Sequence, residues 1–364
     1  MRFGLSDEQK MLDESVRGYL TRALPLDEVR RITVEGGGFD VSLARGLSEQ
    51  GLSGLCVPEA HGGAGLGMVE AAVVAEALGY AAAPYGFAGA CVMAPLAIAR
   101  AGDGGLQDEM LGAIAAGERR VAVDFSALAG TTGAADLQLA GKTLSGRATH
   151  LLDPGGATDL LVALADGRMA LVAADSAGVA PGLRKTIDRT RPFGEASFEG
   201  AQARVLDAAN EPLAVASDIV GIGRLMIAAD SLGAGQRMID QAVSYALERE
   251  QFGRKIGSFQ AVKHMCAEMV AMLEPCRSLI WYAAYAQQHG TEDAPLVIRH
   301  AKAHLGEVTR EVSRMATEVH GGMGFTDLLG LHFWYKRITF DRQVLGGPER
   351  CRSEAGVLQG WAAA

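Results

Sequence analysis

Apolar residues fall at spacings of three and four through the first third of the chain. They shift to short alternating runs in the middle and return to helical spacing for the remainder. Periods of 3.6 and 2.0 separate helix from strand. Ser6-Asp7-Glu8-Gln9 reads as a capping box opening a helix whose face carries Leu12, Val16 and Leu20. Leu43, Leu47, Leu52 and Leu55 repeat the pattern until Pro58, a glycine-rich turn follows at 61–67, and the apolar helix after it is expected to end at Gly79 and Pro84. From about residue 118 the runs 120–128, 137–152, 159–175 and 195–206 read as strands, with Gly141-Lys142 and Asp166-Gly167 where hairpin turns fall. From about 211 the chain is helical again. Ala228, Leu232, Gly235, Ile239, Ala242 and Ala246 form one apolar stripe, and further long helices are predicted over 260–287 and 295–320. The expected architecture is a multidomain α+β protein. It has an N-terminal helical domain (1–117), a middle antiparallel β-domain (118–210) and a C-terminal four-helix-bundle domain (211–364).

Composition changes this picture little. Hydrophobic residues make up 49% and charged residues 21% of 364, an ordinary globular balance, with a core built from aliphatic side chains because aromatics are 6%. A net charge of −9 argues against a general nucleic-acid or membrane-surface binder, so a basic cluster would serve a small anion. No signal peptide is read at the start and no run of 18 apolar residues elsewhere, which places the protein in the cytoplasm by default. The five cysteines show no CxxC and no zinc spacing, so they read as thiols of a reducing compartment. His264 and His304 read as core or surface histidines, and no metal site is expected.

One stretch carries chemistry. Residues 246–269 close a helix, break at Phe252-Gly253 and re-enter a second helix at Gln260, with Arg249, Arg254 and Lys255 in the break against Glu248 and Glu250. A basic elbow whose second arm begins a helix is suited to an anion; read on its own, it is more often a plain helix connection. The glycines of 62–67 lack GxGxxG or Walker spacing and read as a loop.

The elbow, residues 318–327 (EVHGGMGFTD), residues 186–202 (TIDRTRPFGEASFEGAQ) and the opening helices together resemble the acyl-CoA dehydrogenase family of flavoproteins. The resemblance implies FAD as cofactor and an acyl-CoA substrate. Arg249 would contact the FAD diphosphate of a neighbouring subunit, Phe252 and Gln260 would flank its adenine half, and Gly321 and Gly322 would let it approach the backbone. Outside that context, Gly321-Gly322 reads as a helix C-cap. Glu318 stands where the family usually has glutamine, an unfavourable carboxylate beside a diphosphate unless protonated or turned away, with His320 placed to offset it.

In the family a glutamate removes the α-proton of the thioester while hydride leaves the β-carbon for the flavin. That base occupies one of two places, which in this chain are Gly223 and Gly346. No catalytic residue is therefore assigned. The β-domain motifs that serve the flavin ring are also weak in residues 120–137, and no tryptophan stands in the middle domain. The pattern resembles the base-lacking chain of an α2β2 acyl-CoA dehydrogenase of lipid or steroid catabolism, in which a homologous partner supplies the base. Alternatives are a self-sufficient homotetramer with a relocated base (Asp218, Asp341 or Glu349), a flavin monooxygenase on the same scaffold, and a flavin-free scaffold or regulatory subunit. Asp341 also reads as a salt-bridge partner of Arg337 or Arg342, and Glu349 as an exposed partner of Arg350 or Arg352. The resemblance names neither the acyl group nor the electron acceptor.

Overall fold

A computed structural model describes residues 4–35, 37–131, 133–207 and 210–361. The order is α1 (Asp7–Ala23), α2 (Leu26–Glu35), α3 (Val41–Glu49), α4 (Met68–Tyr80), α5 (Ala94–Ala101), α6 (Gly104–Ala115), β1 (Val121–Asp124) and α7 (Ser126–Ala129). Then come β2 (Asp136–Ala140), β3 (Thr143–Leu152), β4 (Asp159–Ala163), β5 (Met169–Ala173), β6 (Val179–Leu183), β7 (Phe193–Gln202) and β8 (Arg204–Leu206). The chain finishes with α8 (Pro212–Glu248), a hairpin of β9 (Glu250–Gln251) and β10 (Arg254–Lys255), α9 (Gln260–His289), α10 (Ala294–His320), α11 (Leu331–Gln343) and α12 (Pro348–Leu358). It clusters into two compact units. One comprises Met1–Val29, Ala72–Ala83 and Ile227–Ala364, the other Arg30–Ala71 and Pro84–Met226.

The capping box forms as expected. Gln9 N–H donates to Ser6 Oγ at 3.2 Å, and Ser6 N–H to Gln9 Oε1 at 2.8 Å. In the first unit every residue of the predicted α8 stripe is buried. A Cβ on Gly235 would stand 3.2 Å from the Thr309 methyl and 3.3 Å from Leu273, so a larger residue there would press on both α9 and α10. Helix α4 ends where expected, at Tyr80, one residue after Gly79, and the missing Cβ of Gly79 is also what lets α4 cross α8. A Cβ on Gly79 would lie 1.9 Å from the Asp230 carbonyl, and one on Gly233 1.9 Å from the Glu76 carbonyl. The two glycines form a reciprocal backbone contact, and helix end signals do not distinguish that use of glycine from a stop.

The second unit is built on one eight-stranded sheet of order β6-β7-β3-β1-β4-β5-β8, with β2 beside β3. Both anticipated hairpins form, with Gly141 (φ 60°) between β2 and β3 and Gly167 (φ 86°) between β4 and β5. The sheet is antiparallel except for β1 and β4, which pair in parallel with Val121 opposite Asp159. Leu144, Ala148, Leu151, Leu160, Val162, Val172, Ala196 and Phe198 form its apolar core. A π-helical turn, Ala88–Met93, leads into α5; it had no sequence signal.

Among the described residues one helix, α8, is long and apolar enough by average composition to cross a membrane, although Asp218, Arg224, Asp230 and Arg237 interrupt it, so the chain has no unbroken run of 18 apolar residues, as expected. Isoleucine, valine, leucine, methionine and alanine supply that apolar character, and 67% of the window is buried inside the protein, as a core helix would be.

Candidate functional site

The C-terminal ends of α8 and α10 meet. Tyr245, four residues before Arg249, stacks on His320, one residue before Gly321, with ring centroids 4.6 Å apart. This contact brings the elbow and the glycine pair, about seventy residues apart in sequence, to one end of the same unit.

The elbow is more structured than a plain helix–loop–helix. After α8 ends, β9 and β10 pair across a two-residue turn with Phe252 at φ 53° and Gly253 at φ 74°. Holding a phenylalanine in the left-handed region costs on the order of 1 kcal/mol or more, and it leaves the ring 91% exposed. Ile256 N–H donates to the Arg249 carbonyl at 2.8 Å, and a Cβ on Gly257 would lie 2.9 Å from the Ala246 carbonyl. The returning chain is thereby pressed onto the end of α8, which aims the hairpin.

Its charges divide into committed and uncommitted. Lys255 pairs with Glu250 at 2.9 Å and donates to the Glu248 carbonyl at 2.9 Å; its hydrogen bond and charge hold the Glu250 carboxyl below its ordinary pKa. Arg254 lies over the Phe259 ring at 4.0 Å. The Arg249 side chain is exposed and has no hydrogen bond or ion pair among the described residues. Gln260 is the first residue of α9, and its N-cap, Phe259, makes no side-chain cap, so the leading N–H groups of a 30-residue helix are left without one.

Gly321 is the C-cap of α10, as the plain structural reading had it, with φ 56° and ψ −139° and its N–H directed to the Glu318 carbonyl. Gly322 has no positive φ, and a Cβ there would meet nothing within 4 Å. Nothing within the described chain requires glycine at 322. Glu318 is turned outward into an ion pair with Arg314 on the exposed face of α10. His320 does not supply the compensating charge. It is buried, hydrogen-bonded through Nδ1 to the Ala316 carbonyl at 2.7 Å, and burial lowers its pKa, so near neutral pH it is uncharged.

Neither position at which the resemblance expects the base offers a carboxylate. Gly223 is buried within α8. Gly346 lies in the turn after α11 with φ 97°, a backbone that L-residues seldom adopt, so glycine there is a conformational commitment. The nearby carboxylates are all engaged: Glu349 forms an exposed pair as expected, though with Arg342, and Asp341 is not paired with Arg337. Asp341 is buried and accepts a long hydrogen bond from Ser231 Oγ at 3.4 Å. Arg337, its anticipated partner, forks onto Asp230. Glu349 pairs with Arg342 at 2.7 Å, and Asp218 with Arg100.

The Asp230–Arg337 pair went unread in the sequence, as did two buried carboxylates. Glu76 is set between Arg17 and Arg277, and burial raises its pKa despite them. Asp153 (φ 59°) accepts from the Gly89 and Ala90 N–H groups at 2.7 and 3.2 Å, and burial raises its pKa. In each case the partners are scores of residues apart, and no local spacing marks them. In β1, Asp124 accepts from the N–H groups of Ser126 and His150, both at 2.8 Å.

Comparison with known proteins decides the family. The acyl-CoA dehydrogenase N-terminal domain profile matches residues 6–118 and the C-terminal domain profile residues 212–353. Acyl-CoA dehydrogenase IpdE2 of Mycolicibacterium smegmatis is 30% identical over 94% of this chain and 96% of its own length. The chain belongs to the acyl-CoA dehydrogenase family. It is accordingly an FAD-dependent oxidoreductase of the class acting on CH–CH bonds. Acyl-CoA dehydrogenase FadE34 of Mycobacterium tuberculosis is 32% identical over 95% of this chain, which spans 47% of that longer protein. Among solved structures, the Tcur3481-Tcur3483 steroid ACAD G363A variant superposes with a TM-score of 0.88 at 28% identity, covering 97% of this chain and 98% of the other. Butyryl-CoA dehydrogenase from Megasphaera elsdenii, at 19% identity and a TM-score of 0.89 over 99% of this chain and 100% of the other, shares the fold.

Proposed function

We propose that this chain is the subunit of a heteromeric acyl-CoA dehydrogenase that supplies FAD-diphosphate contacts, while a homologous partner chain carries the base. The observation that carries this reading is a contrast. The Arg249 elbow and the Gly321-Gly322 turn are retained and joined through Tyr245 and His320, whereas both base positions are glycine. The site fits a diphosphate. Arg249 offers an uncommitted planar guanidinium, the uncapped start of α9 offers N–H groups, and Gly322 leaves room for close approach. Phe252 offers an exposed ring face to an adenine, Gln260 stands beside it at the helix start, and Glu318 is kept at the margin by Arg314. Bound FAD supplies the hydride-accepting centre; the chain's own residues bind and orient it. The name of the steroid ACAD neighbour, which joins two designations, supports a paired assembly acting on a steroid CoA ester, and the IpdE2 and FadE34 relatives, both named acyl-CoA dehydrogenases, support an acyl-CoA substrate. The three segments 1–117, 118–210 and 211–364 remain the working domain division. Free cysteines, four of them buried, fit a reducing cytoplasm.

Two measurements test this. The chain is purified alone and co-expressed with homologous neighbours, and enoyl-CoA formation is followed; turnover by the lone chain would overturn the proposal. In the co-expressed complex, Arg249→Ala should weaken FAD retention about tenfold or more, the scale of a lost charge-assisted hydrogen bond. Because the Arg249 side chain has no hydrogen bond or ion pair among the described residues, the melting temperature of the flavin-free chain should stay unchanged.

A further inference from the structure

The segment joining β6 to β7 carries four cations within eight residues, Arg184, Lys185, Arg189 and Arg191, in a chain whose net charge is −9. With Thr33, Val34 and Gly37 it lines a cavity of about 450 Å³ inside the second unit. Ligand pockets run from about 300 to 1,000 Å³, so this volume is in range for a small molecule.

The segment is held in place. Asp188 is buried, and its Oδ1 accepts from Thr190 N–H at 2.8 Å and Thr190 Oγ1 at 2.7 Å, while Thr186 Oγ1 donates to the Asp188 carbonyl at 2.7 Å. Arg184 N–H donates to the Phe193 carbonyl at 2.8 Å, closing the loop at its base. A Cβ on Gly38 would lie 2.5 Å from the Arg189 carbonyl, so the turn after α2 is packed directly on the loop.

The four cations are not equivalent. Arg184 donates to the Thr149 carbonyl at 3.0 Å and faces Glu195 at 3.7 Å, and Arg191 is buried. Lys185 and Arg189 are exposed and have neither a hydrogen bond nor an ion pair among the described residues. Asp188 is the one acid in the lining, and its Oδ1 is committed to Thr190. Two uncommitted cations therefore stand at a cavity whose remaining lining mixes apolar Val34, Leu183, Pro192 and Phe193 with the polar side chains of Thr33 and Thr186, with Val34 71% and Leu183 64% exposed. Phosphate plus a ring or apolar body is the chemistry that satisfies both parts.

We propose that this cavity is a binding site for a phosphorylated nucleotide, either the nucleotide end of a CoA thioester or a free nucleotide. The CoA alternative rests on the function proposed above; the anion site does not.

The test is calorimetric titration of the purified chain with adenosine 3′,5′-bisphosphate, CoA, adenosine and pantetheine. The bisphosphate should bind, and adenosine and pantetheine at least about tenfold more weakly, the scale of one charged hydrogen bond. The double variant Lys185→Ala/Arg189→Ala should lose about 10- to 100-fold in bisphosphate affinity, whereas Lys142→Ala, an exposed cation elsewhere in the same unit, should not. An equal loss for CoA supports the thioester source, and a loss confined to the bisphosphate supports a free nucleotide. Undetectable bisphosphate binding, or a double variant that binds as well as the parent, would overturn the proposal. FAD retention by the complex is read separately from its visible spectrum, so failure here is distinguishable from failure of the cofactor assignment.

Discussion

Arg337 on α11 is 1% exposed at its side chain and forks onto Asp230 of α8, with Nε–Oδ1 2.8 Å and Nη2–Oδ2 2.7 Å, while Nη1 donates to the Ala83 carbonyl at 3.0 Å. One guanidinium thus ties α8, α11 and the end of α4 together. Arg337→Met preserves much of the volume but strands the Asp230 carboxylate, itself 7% exposed, without its fork. Breaking one side of a buried pair costs about 3–5 kcal/mol because the remaining charge is uncompensated. With about 2.1 cal/mol/K of unfolding entropy per residue over 364 residues, that corresponds to a drop of about 4–7 °C in melting temperature. The double variant Asp230→Leu/Arg337→Met removes both charges and should recover most of the loss, since an apolar replacement of a buried pair is often neutral. Thermal unfolding followed by circular dichroism reads all three proteins. A single variant within about 1 °C of the parent, or a double variant as damaged as the single, would refute the reasoning.

The α4–α8 crossing gives a second expectation. Gly79→Ala places a Cβ 1.9 Å from the Asp230 carbonyl and should cost about 1–3 kcal/mol or more in a melting assay, whereas Gly356→Ala in α12, with open space around it, should stabilise by about 0.5–1 kcal/mol. Gly346→Glu should not confer turnover on the lone chain, because at φ 97° the new side chain strains the turn; enoyl-CoA formation checks it. Stability should also fall with pH. Burial is the largest cause lowering the pKa of both His150 and His320 in the folded chain, so the unfolded chain takes up their protons first. The stability they hold is complete above the unfolded value near 6.5 and is lost as pH falls through it. Melting temperatures between pH 7.5 and 5.5 should show a slope that flattens in His320→Gln.

Periodicity carried most of the fold. The strands with their two hairpins, and the long helices, are local properties of apolar spacing and turn chemistry. Where the reading fell short, the deciding partner was distant in sequence. Gly79 marks the helix end as read, but its second role, close packing on α8, is set by a carbonyl about 150 residues away. Asp341 has arginines beside it in sequence, yet the geometry of α11 gives Arg337 to Asp230. His320 stands two residues from Glu318, yet burial against Tyr245 strips it of the charge that would have helped.

The site shows the same division. Its residue types were legible, but the reason they act together was not. The Tyr245–His320 stack joins the two motifs; Tyr245 carried no signal in the sequence, and His320 was singled out there for a charge that it does not carry. The strained Phe252 turn adds a physical argument that residue spacing lacks. An exposed phenylalanine held at φ 53° serves no packing need among the described residues beyond an edge contact with Phe259 at 6.1 Å. A backbone that accepts that cost to present an aromatic face beside an uncommitted arginine is shaped for something outside its own chain. Together with two glycines where a base would stand, that outward-facing elbow makes a cofactor shared with a partner the reading with the fewest unexplained residues.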